Sequence, residues 1–216
     1  MYQPAHFTVT DIDQIHEFVT KVAAADLVTV DEAGQPLSTL MPCIWKLDES
    51  SNGTLFMHMA RANKQWESIV KGARALAIIH GPQAYISPSN YAAKAEHGKV
   101  VPTWNYTAVH LSGTVEVSHD PDYLREIVRE LTDFHESERN EPWTIDDAPE
   151  TYMSAQLRGI VAITLRVDRV EAKAKLGQNR SQQDQDGVVA DLASSPNSQD
   201  RDIATLMSTD GNKLIR

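Results

Sequence analysis

The chain of 216 residues contains a single cysteine, Cys43, and this scarcity excludes several classes of protein. One cysteine cannot form an intramolecular disulfide or a cysteine-based zinc site, and it fits a reducing compartment. No stretch is long and apolar enough to span a bilayer, and residues 1–10 lack the basic and apolar segments of a signal peptide. These absences predict a cytoplasmic protein.

Glycine is also scarce, with ten residues scattered along the chain. They build no Walker phosphate loop, no G-x-G-x-x-G fingerprint and no G-x-S-x-G nucleophile elbow. Eight histidines are present, but no pair has the i, i+4 spacing of a helical zinc motif. The sequence therefore gives no support to hydrolase, nucleoside-triphosphatase or Rossmann functions. It predicts no metal site and identifies no catalytic residue.

Basic residues are outnumbered, because 20 lysines and arginines face 30 acidic residues and the formal net charge is −10. Such a surface repels phosphate backbones and anionic membranes. DNA affinity comes largely from lysine and arginine contacts to phosphates, and this chain has no basic run. The composition therefore argues against direct DNA binding and against a membrane partner. An anionic ligand would need a local cluster of basic residues.

Hydrophobic periodicity predicts an α+β fold that is mainly β, an antiparallel barrel with flanking helices. The predicted strands cover residues 27–30, 37–47, 54–59, 74–80, 103–117 and 159–170. The predicted helices cover residues 11–24 and 63–71, one opened by Asp120 and Pro121, and one after Asp147. Residues 82–100 are predicted to form a long loop. We assign residues 1–180 to one domain and residues 181–216 to a helical or partly disordered tail.

A local cluster of basic residues does exist, since residues 61–74 contain four basic side chains and one acidic side chain. Asn63 is a preferred N-cap type, so Lys64 would lie in the first turn of the predicted helix. Unpaired N–H groups and the positive end of the helix dipole favour a phosphate at such a place. The spacing leaves open that Arg61 and Lys64 are solvated surface charges.

Aromatic and polar residues are mixed at the start of the predicted strand 103–117. Trp104 and Tyr106 share one face by period two, and Asn105 faces the other way. A planar heterocycle could pack on an aromatic ring there while the amide pairs with its donor and acceptor edge. Core packing with one satisfied amide is the competing interpretation, and the residues alone favour it.

Four motifs in order resemble the PaiB family of FMN-binding negative transcriptional regulators. They are HMARANKQW at residues 58–66, GPQAYISP at 81–88, VPTWNY at 101–106 followed by AVH, and KLGQNR at 175–180. The N-terminal MYQPAHF fits as well. The likeness covers nearly the whole chain and fades after about residue 192. Four separate motifs in the family's order make a chance resemblance improbable.

The resemblance implies an FMN-binding split β-barrel, related to pyridoxamine-phosphate oxidases, that forms a homodimer with flavin at the subunit interface. It assigns the flavin phosphate to the segment His58, Arg61, Asn63 and Lys64. It places Trp104 and Asn105 near the ring system, and it lets Gln178 and Arg180 close over the ligand or brace the tail. The chain departs from the family pattern at Leu40, where histidine is frequent, and at Gly177, where serine is usual.

These expectations lead to one function and two alternatives. The chain is predicted to be an FMN-binding PaiB-like regulator that acts indirectly or as a flavin-dependent sensor. The first alternative is an FMN-dependent oxidoreductase that takes a hydride from a reduced nicotinamide. The second is a carrier of haem or flavin without turnover, because barrel interfaces accommodate either planar ligand.

Overall fold

A computed structural model describes residues 1–48, 51–209 and 213–214 of the chain. These residues form two compact units, and strands run from one unit into the other. The first unit comprises Met1–Val22, Ile79–His110 and Glu171–Arg216. The second unit comprises Ala23–Ile78 and Leu111–Val170.

The described residues contain eight strands and six α-helices. The strands are β1 (Thr8–Val9), β2 (Ala24–Val30), β3 (Pro36–Pro42), β4 (Ile44–Asp48), β5 (Ser51–Ala60), β6 (Arg74–Ile86), β7 (Thr103–Ser118) and β8 (Ile160–Lys175). The helices are α1 (Ile12–Val22), α2 (Ala93–Glu96), α3 (Pro121–Glu136), α4 (Glu150–Arg158), α5 (Gln182–Ala193) and α6 (Ser198–Met207). Short 3₁₀ turns lie at Ala5–Phe7, Lys64–Ser68 and Pro88–Asn90.

The eight strands of the described chain join in one sheet, in the order β3-β2-β6-β7-β8-β5-β4, with β1 added beside β8. The pairs β2/β3, β2/β6, β4/β5, β5/β8 and β1/β8 are antiparallel. Register places Leu27 opposite Thr39 and Met57 opposite Ile163. The predicted class, an antiparallel sheet with flanking helices, is confirmed.

The core of the second unit follows from the alternation of side chains along β5. Leu55, Met57 and Met59 are buried on one face, whereas Phe56 on the other face packs against the apolar stripe of α3. That helix begins where its sequence predicts, because the Asp120 carboxylate accepts hydrogen bonds from the backbone N–H groups of Asp122 and Tyr123. The cap and the apolar stripe together fix α3 on this face of the sheet.

The first unit buries apolar side chains from α1 and from the C-terminal helices. Phe18 of α1, Val188 of α5 and Ile203 of α6 are each at most 1% exposed. The tail expected after residue 180 is therefore helical where the structure describes it, while residues 210–212 and 215–216 of that tail lie outside the described residues. The division of the chain into domains at residue 180 stays a prediction.

Three predicted elements differ from the structure. The strand expected over 37–47 is split at Cys43, since Pro42 has no N–H for a ladder and the chain changes partner from β2 to β5. The loop expected over 82–100 is wrong in its first part, because β6 continues to Ile86. The helix expected over 63–71 is a five-residue 3₁₀ turn, Lys64–Ser68.

Across residues 1–48, 51–209 and 213–214, no helix is both long and apolar enough to cross a bilayer.

Candidate functional site

The eight candidate site residues fall into two groups of four. His58, Arg61, Asn63 and Lys64 belong to the second unit, and Trp104, Asn105, Gln178 and Arg180 belong to the first unit.

The turn after β5 presents Lys64 to solvent. Its side chain is 71% exposed, and its ammonium nitrogen lies 2.7 Å from a carboxylate oxygen of Glu67. Asn63 caps the turn as predicted, because its Oδ1 accepts a hydrogen bond from the backbone N–H of Gln65 at 3.0 Å. A 3₁₀ turn of five residues has little macrodipole, so an anion here would depend on the lysine charge.

Gln65 holds this turn in place from within the protein. Its side chain is buried, and its Nε2 donates to the carbonyl oxygen of Leu27 at 2.9 Å and to Oγ1 of Thr29 at 3.1 Å. Its Oε1 accepts from Thr39 Oγ1 at 2.5 Å, and that hydroxyl in turn accepts from Asn63 Nδ2 at 2.8 Å. The network fastens the turn that carries Lys64 to the β2/β3 hairpin.

Arg61 points to a different set of partners from those of Lys64. Its Nε donates to the carbonyl oxygen of Arg158 at 2.9 Å, its Nη2 donates to that of Ile160 at 3.2 Å, and its Nη1 lies 3.3 Å from Nδ1 of His119. Within the described residues, no hydrogen bond or ion pair joins the side chains of Arg61 and Lys64. Arg61 and Lys64 therefore contact different groups of the protein, and their joint contact with a phosphate stays a prediction.

The rest of the predicted basic cluster is partly neutralised. The guanidinium group of Arg74 forms a bidentate pair with the carboxylate of Asp168. This hydrogen-bonded pair lowers the pKa of Asp168. The positive charge of residues 61–74 is thus divided among separate partners.

His58 lies on the face of β5 that α3 covers. It stands opposite Ala162 in the register, and Ala162 belongs to the apolar cluster around Leu124. Its buried Nδ1 has no hydrogen-bond partner in the part of the chain that the structure describes, and burial lowers the pKa of the imidazole. A neutral ring against apolar side chains is the state that this environment favours.

Trp104 and Asn105 face opposite sides of β7, as their spacing predicts. Trp104 is 48% exposed, whereas Asn105 is 2% exposed. Among the described residues, the buried Oδ1 of Asn105 has no hydrogen-bond partner, and its Nδ2 donates to the Sδ of Met207 at 3.5 Å. The amide of Asn105 thus lacks a partner for its oxygen, whereas the core-packing interpretation expected a fully hydrogen-bonded amide.

Gln178 and Arg180 make local contacts. Oε1 of Gln178 accepts from the backbone N–H of Leu176 at 2.8 Å, and its Nε2 donates to the carbonyl oxygen of Ala174 at 2.6 Å. The guanidinium carbon of Arg180 lies 4.6 Å from the ring centroid of Tyr91. These contacts brace the chain after β8, which is one of the two roles that the resemblance left open.

Two further groups bear on the chemistry. Burial raises the pKa of the Cys43 thiol to about 12, so this cysteine stays protonated and is a poor nucleophile. In the part of the chain that the structure describes, no three His, Cys, Asp or Glu side chains are grouped to hold a metal ion.

Comparison with solved structures defines the class of fold. The FAD and heme binding protein from Mycobacterium smegmatis matches with a TM-score of 0.55 and 17% identity, over 78% of this chain and 73% of that chain. The flavocytochrome Anf3 from Azotobacter vinelandii matches with a TM-score of 0.53 and 14% identity, over 78% of this chain and 69% of that chain. At such identities the likeness shows the fold alone, and the predicted split-barrel class is confirmed.

Comparison of sequences defines the family. Residues 1–169 match the family described as "Putative FMN-binding domain". The chain is also 31% identical over 215 residues to "Protease synthase and sporulation protein PAI 2" of Bacillus subtilis (strain 168), covering 100% of both chains. The chain therefore belongs to this FMN-binding family, as its motifs predicted. Its predicted cofactor, a flavin, agrees with the family description.

Proposed function

We propose that the chain is a flavin-binding protein that holds the phosphate of FMN at the turn carrying Lys64. The observation that supports this is an exposed lysine on a turn that a buried network fixes in place. A lysine ammonium group is a common point-charge partner of phosphates. When bound, FMN supplies a ring system that accepts and donates electrons.

Lys64 fits the phosphate of such a ligand. Its ammonium group has three N–H donors, and its exposed ion pair with Glu67 is weak enough for a phosphate to replace the carboxylate. In the first unit, Asn105 Oδ1 is buried without a hydrogen-bond partner among the described residues, and its contact with the flavin stays a prediction. Contact of Trp104, Gln178 and Arg180 with the flavin stays a prediction.

A regulator or sensor is the function that we favour over an enzyme. His58, whose pKa is lowered by burial, faces apolar side chains and is therefore not placed to act as a general acid or base on a second substrate. An indirect effect on transcription needs only that the flavin-bound and flavin-free forms differ in their affinity for another molecule.

The absorption spectrum of the purified chain after incubation with FMN tests this proposal. A flavin doublet that persists after desalting is expected, and it should remain unbleached when reduced nicotinamide is added without another enzyme. A sharp haem band would instead favour the carrier. Rapid bleaching by the reduced nicotinamide would favour the oxidoreductase.

A homodimer also belongs to the proposal. Val30 and Leu40, on β2 and β3, are 57% and 66% exposed, and apolar side chains of this kind are often covered by a partner subunit. Light scattering is expected to give about twice the chain mass of 24.0 kDa, and a mass of one chain would contradict it. The cytoplasmic location stays a prediction.

Direct recognition of DNA is not expected. The formal net charge is −10, Arg74 is paired with Asp168, and Lys64 is assigned to the flavin phosphate. Since each phosphate contact depends on a cation that releases counterions, few such contacts can form. The FMN-loaded protein should give no footprint on its promoter fragments near physiological salt. A footprint with an unchanged flavin spectrum would contradict this expectation. It would show that assembled chains form a basic face that the single chain does not have.

A further inference from the structure

An open cavity of about 460 Å³ lies in the second unit, beside the side chain of Arg61. It is lined by residues of α3 and α4, among them Arg125 and Arg158, and by His119 immediately before α3. Lys64 and Asn63 are not part of its lining. The cavity is therefore distinct from the turn to which we assign the flavin phosphate.

Arg61 is held in a fixed direction at the rim of this cavity. Two backbone carbonyl groups, those of Arg158 and Ile160, accept hydrogen bonds from its Nε and Nη2. Its Nη1 faces the Nδ1 of His119 at 3.3 Å, and the His119 ring meets the Trp66 ring edge to face at 5.2 Å. A guanidinium group oriented in this way loses little side-chain entropy when it binds an anion.

The charge of the lining is positive, with three arginines against Asp122 and Glu150. Arg125 is committed to Glu150, at 2.5 Å, whereas the exposed guanidinium group of Arg158 has no ion pair among the described residues. The start of α3 adds no free donor, because Asp120 already caps it and Pro121 has no N–H. Arg158 and Arg61 are thus the groups available to an anion.

One wall of the cavity is apolar. The exposed ring of Pro121 lines it together with the edges of Leu124 and Leu157, which are 2% and 5% exposed because they belong to the buried cluster between α3, α4 and the sheet. A bare inorganic ion would leave this wall in water, whereas a ring or an alkyl group would cover it. The lining therefore combines guanidinium donors with a hydrophobic surface.

We propose that this cavity binds a small organic anion, in which a phosphate or carboxylate group is attached to an apolar body. A guanidinium group donates charge-assisted hydrogen bonds to either oxyanion, so Arg158, with the remaining N–H groups of Arg61, takes the charged end and Pro121 takes the apolar end. The site would give the protein a second ligand besides its flavin. The proposal does not depend on flavin binding.

Titration calorimetry with phenyl phosphate and with benzoate tests the proposal, on the full chain with and without added FMN. Saturable binding of at least one probe is expected in both conditions, and the tighter probe identifies the oxyanion. R158Q should weaken that probe by about tenfold, because one charge-assisted hydrogen bond is lost. The backbone carbonyl of Arg158 still orients Arg61 in this variant.

R166Q is the matched control. Arg166 lies in the same unit on β8, is 69% exposed in its side chain, and is not part of the cavity lining. Its replacement should change the affinity for the probe by less than about twofold relative to the unchanged protein. Absence of saturable binding by both probes, or equal losses in R158Q and R166Q, would overturn the proposal. Displacement of bound FMN by phenyl phosphate would also overturn it, because the two anions would then share one site.

Discussion

Replacing Lys64 with alanine is expected to weaken FMN binding by about tenfold or more and to change riboflavin binding little. FMN and riboflavin differ by one phosphate, so the ratio of their affinities isolates the group that the ammonium contacts. The ion pair that Lys64 forms with Glu67 is exposed and contributes little to folding, so the variant should fold normally. Fluorescence titration of both flavins measures the ratio.

Lys71 supplies the control for this measurement. It lies in the same basic segment and is exposed, but it is not on the turn that Asn63 caps. Lys71→Ala removes the same charge and should leave the affinity ratio near that of the unchanged protein. Equal losses of FMN and riboflavin in Lys64→Ala would remove the basis for a phosphate at this turn.

Arg61→Gln separates the sequence-based prediction from the structural inference. The family resemblance assigned Arg61 and Lys64 to the flavin phosphate, on a segment that is rich in basic residues. If that assignment holds, Arg61→Gln lowers the ratio of FMN affinity to riboflavin affinity, as Lys64→Ala does. If Arg61 instead binds the anion in the cavity lined by α3 and α4, this affinity ratio stays unchanged and phenyl phosphate binds more weakly.

Much of the fold could be predicted because local patterns determine it. The alternation along β7 predicted that Trp104 and Asn105 face opposite sides, and their exposed fractions of 48% and 2% confirm it. The pair Asp120 and Pro121 predicted the start of α3, and the cap hydrogen bonds confirm it. These features depend on residues close in the chain, so one sequence is enough to infer them.

The details of the candidate site could not be predicted in this way. The direction of Arg61 is set by carbonyl groups at Arg158 and Ile160, which are 97 and 99 positions away in the chain. The role of Gln65 likewise depends on the β2/β3 hairpin, 36 and 38 positions away at Thr29 and Leu27. Such partners are known only when the strands have been paired.

Gln65→Leu is expected to lower the free energy of unfolding by about 2–4 kcal/mol. Leucine has a similar size, so the effect comes from lost hydrogen bonds and not from a cavity. The carbonyl oxygen of Leu27 and the hydroxyl groups of Thr29 and Thr39 would each lose a partner in a region where Gln65 is buried. Chemical denaturation of the flavin-free protein measures the change.

The same variant tests whether Gln65 positions the turn for the flavin phosphate. Because Thr39 links Gln65 to Asn63, its loss should loosen the turn that carries Lys64 and lower the FMN to riboflavin affinity ratio in the folded protein. Gln156→Leu is the control, since Gln156 is an exposed residue of α4 in the same unit. A large loss of stability with an unchanged affinity ratio would limit Gln65 to the folding of the hairpin. An unchanged stability would contradict the network itself.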